Sequence, residues 1–255
     1  MSDENSDFQN IFHEKQVQSK NRLDDFLAEP GEEQIHQLRT SIRILEAMYF
    51  IFPNSCKRKK TDIFVSLYRL LFKKNSSIRD MDVIIKRLQK NGLSKESKII
   101  KKIVNQKNKK LKKILKDAEK ISKLEFSNLK KNNDEKIIQK HDKKIFSLIT
   151  KIQNYIPIVI SDESKIDELH SMRKTAKKLR YILEIDPTGK YRHVIESMKT
   201  FQKLLGSIHD CDITIDFLKK YAKKESELEF LLTKEKKIRS EIYHQLADSL
   251  STATI

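Results

Sequence analysis

Apolar residues recur at helical spacing along almost the whole chain. In the segment "IHQLRTSIRILEAMYF", residues 35–50, Leu38, Ile42 and Leu45 are three or four positions apart, which places them on one face of a helix. Glycine and proline, which mark turns, number only four each. The pattern predicts an all-α protein with helices near residues 8–28, 32–52, 58–74, 78–91, 94–127, 134–154, 164–185, 190–205, 209–222 and 225–249. Pro157 and Gly206 are expected to interrupt helices.

The polar side of the same segment is cationic. His36, Arg39 and Arg43 fall within about 60° of one another on a helical projection, opposite the apolar residues. Groups at these steps recur every ~5 Å along a helix. Guanidinium groups hold phosphate oxygens two at a time, and imidazole exchanges a proton near neutral pH. The spacing therefore favours an anion with several phosphate groups.

The sequence contains an internal repeat. "IHQLRTSIR" at 35–43 returns as "LHSMRKTAK" at 169–177, and "SIRDMDVII" at 77–85 returns as "SIHDCDITI" at 207–215. Two related helical halves are therefore predicted within one domain. The predicted bounds are 1–255 for the domain, 30–127 for the first half and 134–250 for the second.

Basic residues occur in both halves of the repeat, and the same offset pairs Arg69 with Lys199 and Lys73 with Lys203. The candidate phosphate-binding residues are His36, Arg39, Arg43, Arg69, Lys73, Arg79, His170, Arg173, Lys174, Lys177, Arg180, Lys199 and Lys203. A lone basic stripe is usually only a solvated helix face. Its repetition favours a binding function instead.

The total charge agrees with an anionic partner. The chain has 53 Lys and Arg against 36 Asp and Glu, a formal net charge of +17.

The sequence shows no pattern typical of a metal site, a secretory signal or a membrane span. Neither Cys56 nor Cys211 has metal-like spacing. The first ten residues are acidic and polar, and no apolar run has membrane-spanning length. We expect a cytoplasmic protein with reduced thiols, no membrane association, and no metal or other cofactor.

Four aspartates offer a second kind of chemistry: Asp80, Asp82, Asp210 and Asp212. "SIRD" and "SIHD" match a Ser-x-x-acid pattern, which predicts a serine-capped helix start; alternatively these carboxylates orient the Arg and Lys of the basic face. His209-Asp210 also matches the His-Asp pair of metal phosphohydrolases. Its repeat mate is Arg79-Asp80, and guanidinium does not ligate metals, so His209 is not included among the candidate ligands.

These motifs resemble the CHAD family, the conserved histidine α-helical domain, over residues 30–250. The family's two His-x-x-Arg-x-x-x-Arg/Lys helices resemble His36/Arg39/Arg43 and His170/Arg173/Lys177. "KKLRY" at 177–181 and "FQKLLGSIHDCDI" at 201–213 resemble two further family motifs.

The resemblance implies two four-helix bundles, related by a pseudo-twofold axis, that flank a basic central cleft or pore. It also implies binding of inorganic polyphosphate without hydrolysis, and association with polyphosphate granules or with a polyphosphate- or triphosphate-processing enzyme. Ile44 and Glu46 depart from the family, whose members commonly have basic residues there. The first half is therefore expected to contribute less charge.

Non-enzymatic binding of polyphosphate is the function that we expect. Nucleic-acid binding is an alternative because basic helices also attract a phosphodiester backbone. A metal-dependent phosphohydrolase that uses His36, His170 and the aspartates is another.

Overall fold

The computed structural model describes residues 7–130, 134–186, 189–221 and 226–252. These residues form eight α helices and one 3₁₀ turn, Asn54–Cys56, with no strand in any of the four ranges. The helices are α1 Asp7–Ala28, α2 Glu32–Ile51, α3 Lys59–Lys90, α4 Lys98–Ser122, α5 Asp134–Ser161, α6 Ile166–Leu183, α7 Arg192–Tyr221 and α8 Ser226–Thr252. The all-α prediction is confirmed. None of the helices described is long and apolar enough to cross a membrane.

Helices α3 and α7 are each longer than predicted. The expected breaks near residues 75–77 and at Gly206 are wrong, because the helix continues through both places. Asn75 and Ile78 are fully buried in α3, and Leu205 and Ile208 flank Gly206 with almost no exposure. A glycine in a helix costs about 1 kcal/mol. The buried residues on either side offset that cost.

The continuity of these helices also corrects the interpretation of "SIRD" and "SIHD". Both motifs lie in the middle of a helix, so no orphan backbone N–H groups are there for serine to cap. The Ser77 hydroxyl instead donates to the carbonyl oxygen of Lys74, one turn earlier. The helix-capping role predicted for Asp80, Asp82, Asp210 and Asp212 is therefore wrong.

Pro157 lies inside α5 rather than at its end, so the break predicted there is also wrong. Proline in a helix interior costs about 3 kcal/mol because it lacks an N–H donor. Ile152 and Val159 are buried on either side of it, and burial of such side chains contributes about 1.5–3 kcal/mol each. Packing therefore keeps the helix continuous to Ser161.

The chain forms two compact units. The first unit comprises Met1–Arg79, Lys107–Ser147 and Tyr181–Tyr191. Its core contains stacked and edge-on aromatic rings: the Phe12 and Phe52 centroids are 5.4 Å apart, and those of Phe64 and Tyr68 are 4.3 Å apart. Aromatic pairs in these geometries add stabilisation beyond burial alone.

The second unit comprises Asp80–Gln106, Leu148–Arg180 and Arg192–Ile255. Its aliphatic core includes Leu88, Ile103, Leu218 and Leu231. The halves predicted at 30–127 and 134–250, and their pseudo-twofold relation, stay predictions.

A buried ionic group lies in the second unit. Glu235 is fully buried and accepts hydrogen bonds from the Arg87 guanidinium at 2.6–3.2 Å and from the Asn91 amide. Arg87 Nη2 also donates to Cys211 Sγ at 2.9 Å. Burial raises the pKa of the Cys211 thiol to about 12, so this thiol stays protonated.

Candidate anion-binding site

The first basic face belongs to the first unit, on α2 and α3. It comprises His36, Arg39, Arg43, Arg69, Lys73 and Arg79. Leu38, Ile42 and Leu45 on α2 are fully buried, whereas His36 and Arg43 are exposed. The predicted division of α2 into an apolar and a cationic side is therefore confirmed.

An aromatic ring supports two of these cations. The Phe72 ring centroid is 4.0 Å from Arg39 Cζ and 3.8 Å from Arg43 Cζ. Arg39 Nη1 also donates to the Phe72 carbonyl oxygen at 2.9 Å and to Ser76 Oγ at 3.0 Å. Arg39 thus links α2 to α3, and part of its hydrogen-bonding capacity is used within the protein.

Two carboxylates neutralise part of the first basic face. Glu46 pairs with Arg43 Nη1 at 3.2 Å and with Arg69 Nε at 3.1 Å, and Glu32 pairs with Arg79. These pairs lower the positive potential that the face offers to an anion. The expectation that the first half contributes less charge than the second stays a prediction.

The second basic face belongs to the second unit, on α6 and α7. The name covers the candidate residues of this unit: His170, Arg173, Lys174, Lys177, Arg180, Lys199 and Lys203. The structure brings Arg173, Lys174 and Lys177 close enough to His170 for their charges to act on it. On α6, Leu169, Met172 and Ala176 are buried, as the apolar spacing predicts. Lys174, Lys199 and Lys203 are exposed, and Lys199 pairs with Glu196 one turn earlier at 2.5 Å.

His209 joins the second basic face, although the sequence analysis did not include it. Its Nδ1 atom is 3.2 Å from Nδ1 of His170, and the ring centroids are 4.8 Å apart. The repeat could have identified His209 as a candidate ligand, because the equivalent position of the first half is Arg79, which is one. A basic residue in both halves marks the position more clearly than the neighbouring aspartate does.

The electrostatics of the pair reflect its cationic surroundings. Burial, then the charges of Lys174 and Arg173, lowers the pKa of His170. Burial, then Arg173, His170 and Lys177, lowers the pKa of His209 to about 3. Both imidazoles are therefore neutral at pH 7 in the free protein. The same cations that disfavour protonation of the imidazoles attract a bound anion.

One of the four aspartates, Asp212, pairs with a cation outside the basic faces. Asp212 Oδ1 accepts a hydrogen bond from Arg239 Nε at 2.6 Å, and Arg239 Nη2 donates to the Glu163 carbonyl oxygen at 2.8 Å. Burial raises the pKa of Asp212 despite this hydrogen bond. Because Arg239 lies on α8, the orienting role predicted for Asp212 toward the basic-face cations is wrong. For Asp80, Asp82 and Asp210 that role stays a prediction.

Apart from the histidines, the side chains that define the two faces are hydrogen-bond donors. Guanidinium and ammonium groups only donate, so they complement an anion whose oxygens only accept. Within the described ranges, no three His, Cys, Asp or Glu side chains are grouped as a metal site requires.

Comparison with known proteins identifies the family and the fold of the chain. The family model for the CHAD domain matches residues 14–219. The chain belongs to the CHAD domain family. A crystal structure of the CHAD domain from the plant Ricinus communis matches with a TM-score of 0.64 and 16% identity, covering 96% of this chain and 91% of that one. At that identity the likeness shows a shared CHAD fold alone. The search of curated proteins found no match.

Proposed function

We propose that this CHAD protein binds inorganic polyphosphate, or a related oligophosphate polyanion, through its basic faces without hydrolysing it. The observation that carries the proposal is the second basic face, where two imidazoles lie with their Nδ1 atoms 3.2 Å apart and within reach of the charges of three cations. Burial, and after it the charges of Arg173, Lys174 and Lys177, lowers the pKa of both imidazoles. Such a concentration of positive charge is costly unless an anion offsets it.

The form of the basic faces favours polyphosphate over nucleic acid. Cations that recur every ~5 Å along a helix can follow a chain of phosphates. Proteins that bind single strands add exposed aromatic rings on which bases stack. In the first basic face, the Phe72 ring is instead covered by Arg39 and Arg43. A cytoplasmic location, association with polyphosphate granules and a polyphosphate- or triphosphate-processing partner enzyme belong to the same proposal.

A pair of charge reversals tests the proposal. Lys174→Glu with Lys177→Glu should weaken binding of long-chain polyphosphate at least about 100-fold, because two charge-assisted contacts become repulsive. The matched control is Lys219→Glu with Lys220→Glu, which changes the net charge equally on exposed residues at the end of α7. Affinity is measured by titration calorimetry, and helix content by circular dichroism.

The control separates a site from general attraction. Equal losses in the two double variants would assign binding to net charge and reject the basic face as a site. Competition between DNA and polyphosphate at equal phosphate concentration tests the ligand class, and we expect polyphosphate to win. Release of phosphate from polyphosphate with Mg²⁺ or Mn²⁺, lost in Asp210→Asn, would contradict non-enzymatic binding.

A further inference from the structure

The two histidines of the second basic face form a hydrogen bond that fixes their tautomers. With Nδ1 of His170 and Nδ1 of His209 3.2 Å apart, one nitrogen must donate a proton and the other must accept it. A neutral imidazole carries one proton. The donor ring therefore has a bare Nε2, and the acceptor ring has an Nε2–H. While neutral, the pair combines one outer donor with one outer acceptor.

That combination does not match a fully ionised phosphate. The non-bridging oxygens of an internal phosphate group only accept hydrogen bonds, so they are complementary to Nε2–H and repel a bare Nε2. One added proton gives both rings an Nε2–H and leaves the Nδ1 hydrogen bond intact. The protonated pair presents only donors, and it adds a positive charge beside the anion.

We propose that the His170–His209 pair takes up one proton from the solvent when polyphosphate binds, so that His209 is a ligand and affinity is coupled to pH. This inference rests on the proposed function, because it concerns the same face and the same anion. It specifies the protonation state of the histidine pair when the anion is bound.

The groups around the pair explain why the proton arrives only with the anion. On α6, Arg173, Lys174 and Lys177 oppose protonation of the pair, and Asp167 favours it for His170. On α7, Asp210 and Asp212 are near His209 in sequence. Asp212 already pairs with Arg239 of α8.

A bound polyphosphate reverses this balance because its negative charge offsets the three cations. The pKa of the pair then rises, and the bound state holds more protons than the free state. By linkage, affinity increases as the pH falls, with a slope of up to about tenfold per pH unit for one proton. The slope applies where the pH lies above the pKa of the free pair and below that of the bound pair.

Titration calorimetry of the full chain tests the proton count directly. Long-chain polyphosphate is titrated near pH 6.5 in buffers with different ionisation enthalpies, and the difference in heat gives the protons taken up. His209→Arg supplies a permanent charge like that of its repeat mate Arg79. His209→Asn keeps a small polar group without charge. The control is His193→Asn, which removes an exposed histidine from the start of α7.

We expect uptake of close to one proton in the native chain and in His193→Asn. His209→Arg should retain affinity within about threefold and lose most of the proton uptake, whereas His209→Asn should lose both uptake and, near pH 5.5, about tenfold in affinity. Binding with unchanged uptake in both His209 variants would overturn the inference while leaving the proposed function standing. Absence of binding by the native chain at any pH would overturn both.

Discussion

The two basic faces are built from the same repeat but use their cations differently. Glu46, which pairs with Arg43 and Arg69 in the first face, is replaced at the matching position of the second face by Arg180. The substitution exchanges a neutralising carboxylate for a further cation. In the first face the arginines are held partly by the protein's own acids.

A second difference between the faces is the residue that packs against the cations. Phe72 contacts two guanidinium groups in the first face, and its repeat mate is Gln202. The Gln202 amide donates to the Ala176 carbonyl oxygen at 2.9 Å and so serves the backbone of α6. Cation–π contacts thus support the guanidinium groups of the first face.

The third exchange replaces a fixed charge by a titratable one. Arg79 pairs with Glu32, whereas its mate His209 pairs with His170. The same repeat position therefore carries an arginine–carboxylate pair in the first face and a pair of imidazoles in the second. We expect the second face to dominate the affinity.

The largest loss of polyphosphate affinity should come from placing a glutamate in the second face at the position equivalent to Glu46. Arg180→Glu should weaken polyphosphate binding about 30-fold, since it removes a cation and adds a repulsive charge. The control is Arg192→Glu, an equal change of charge at an exposed residue, for which we expect less than about threefold. Equal effects in calorimetric titrations of the two variants would break the comparison.

Next in size is the aromatic support of the first face. Phe72→Leu should lower the free energy of unfolding by about 1–2 kcal/mol, because a buried ring and two cation–π contacts are lost. Urea unfolding measures it. A double-mutant cycle with Arg43→Ala should give a coupling of about 1 kcal/mol. Zero coupling would show that the stacking adds nothing to stability.

The free protein should lose stability in acid because of the second face. The pKa of His209 is about 3 in the folded chain and 6.5 ordinarily, so below pH 6.5 the unfolded chain binds a proton that the folded chain excludes. Stability should therefore fall as the pH falls through this window, by about 1 kcal/mol per pH unit after allowance for partial exposure. Thermal unfolding between pH 7 and 4.5 measures the loss. His209→Asn should flatten the profile and His193→Asn should not.

The smallest effect should follow from removing the acid of the first face. Glu46→Gln releases Arg43 and Arg69 from their carboxylate and should raise affinity about threefold. Glu125→Gln makes the same change of net charge at an exposed residue and serves as the control. An increase shared by both variants would assign the gain to total charge.

The fold was largely predictable because helical periodicity is a local property. The apolar positions Leu38, Ile42 and Met172 are buried as their spacing indicates. The ends of helices were not predictable where packing outweighs local preference. Gly206 and Pro157 read as interruptions, but buried neighbours hold each helix together.

The candidate site was predictable to the extent that it repeats. His36 and His170 were found because both halves carry the same residue at the same step. His209 was missed because its partner lies 39 residues away in sequence and on another helix. Asp212 was misjudged for the same reason, since only the packing of α8 brings Arg239 to it.

The chain's two cysteines, Cys56 and Cys211, are both free and buried, and the Cys211 thiol keeps its proton at physiological pH. A thiol that is neither exposed nor ionised reacts slowly with maleimides and similar reagents. A cysteine introduced at exposed Lys73 or Lys203 would accordingly accept a fluorophore selectively in the native sequence background. Fluorescence from a dye at either position would then measure anion binding in that half of the repeat.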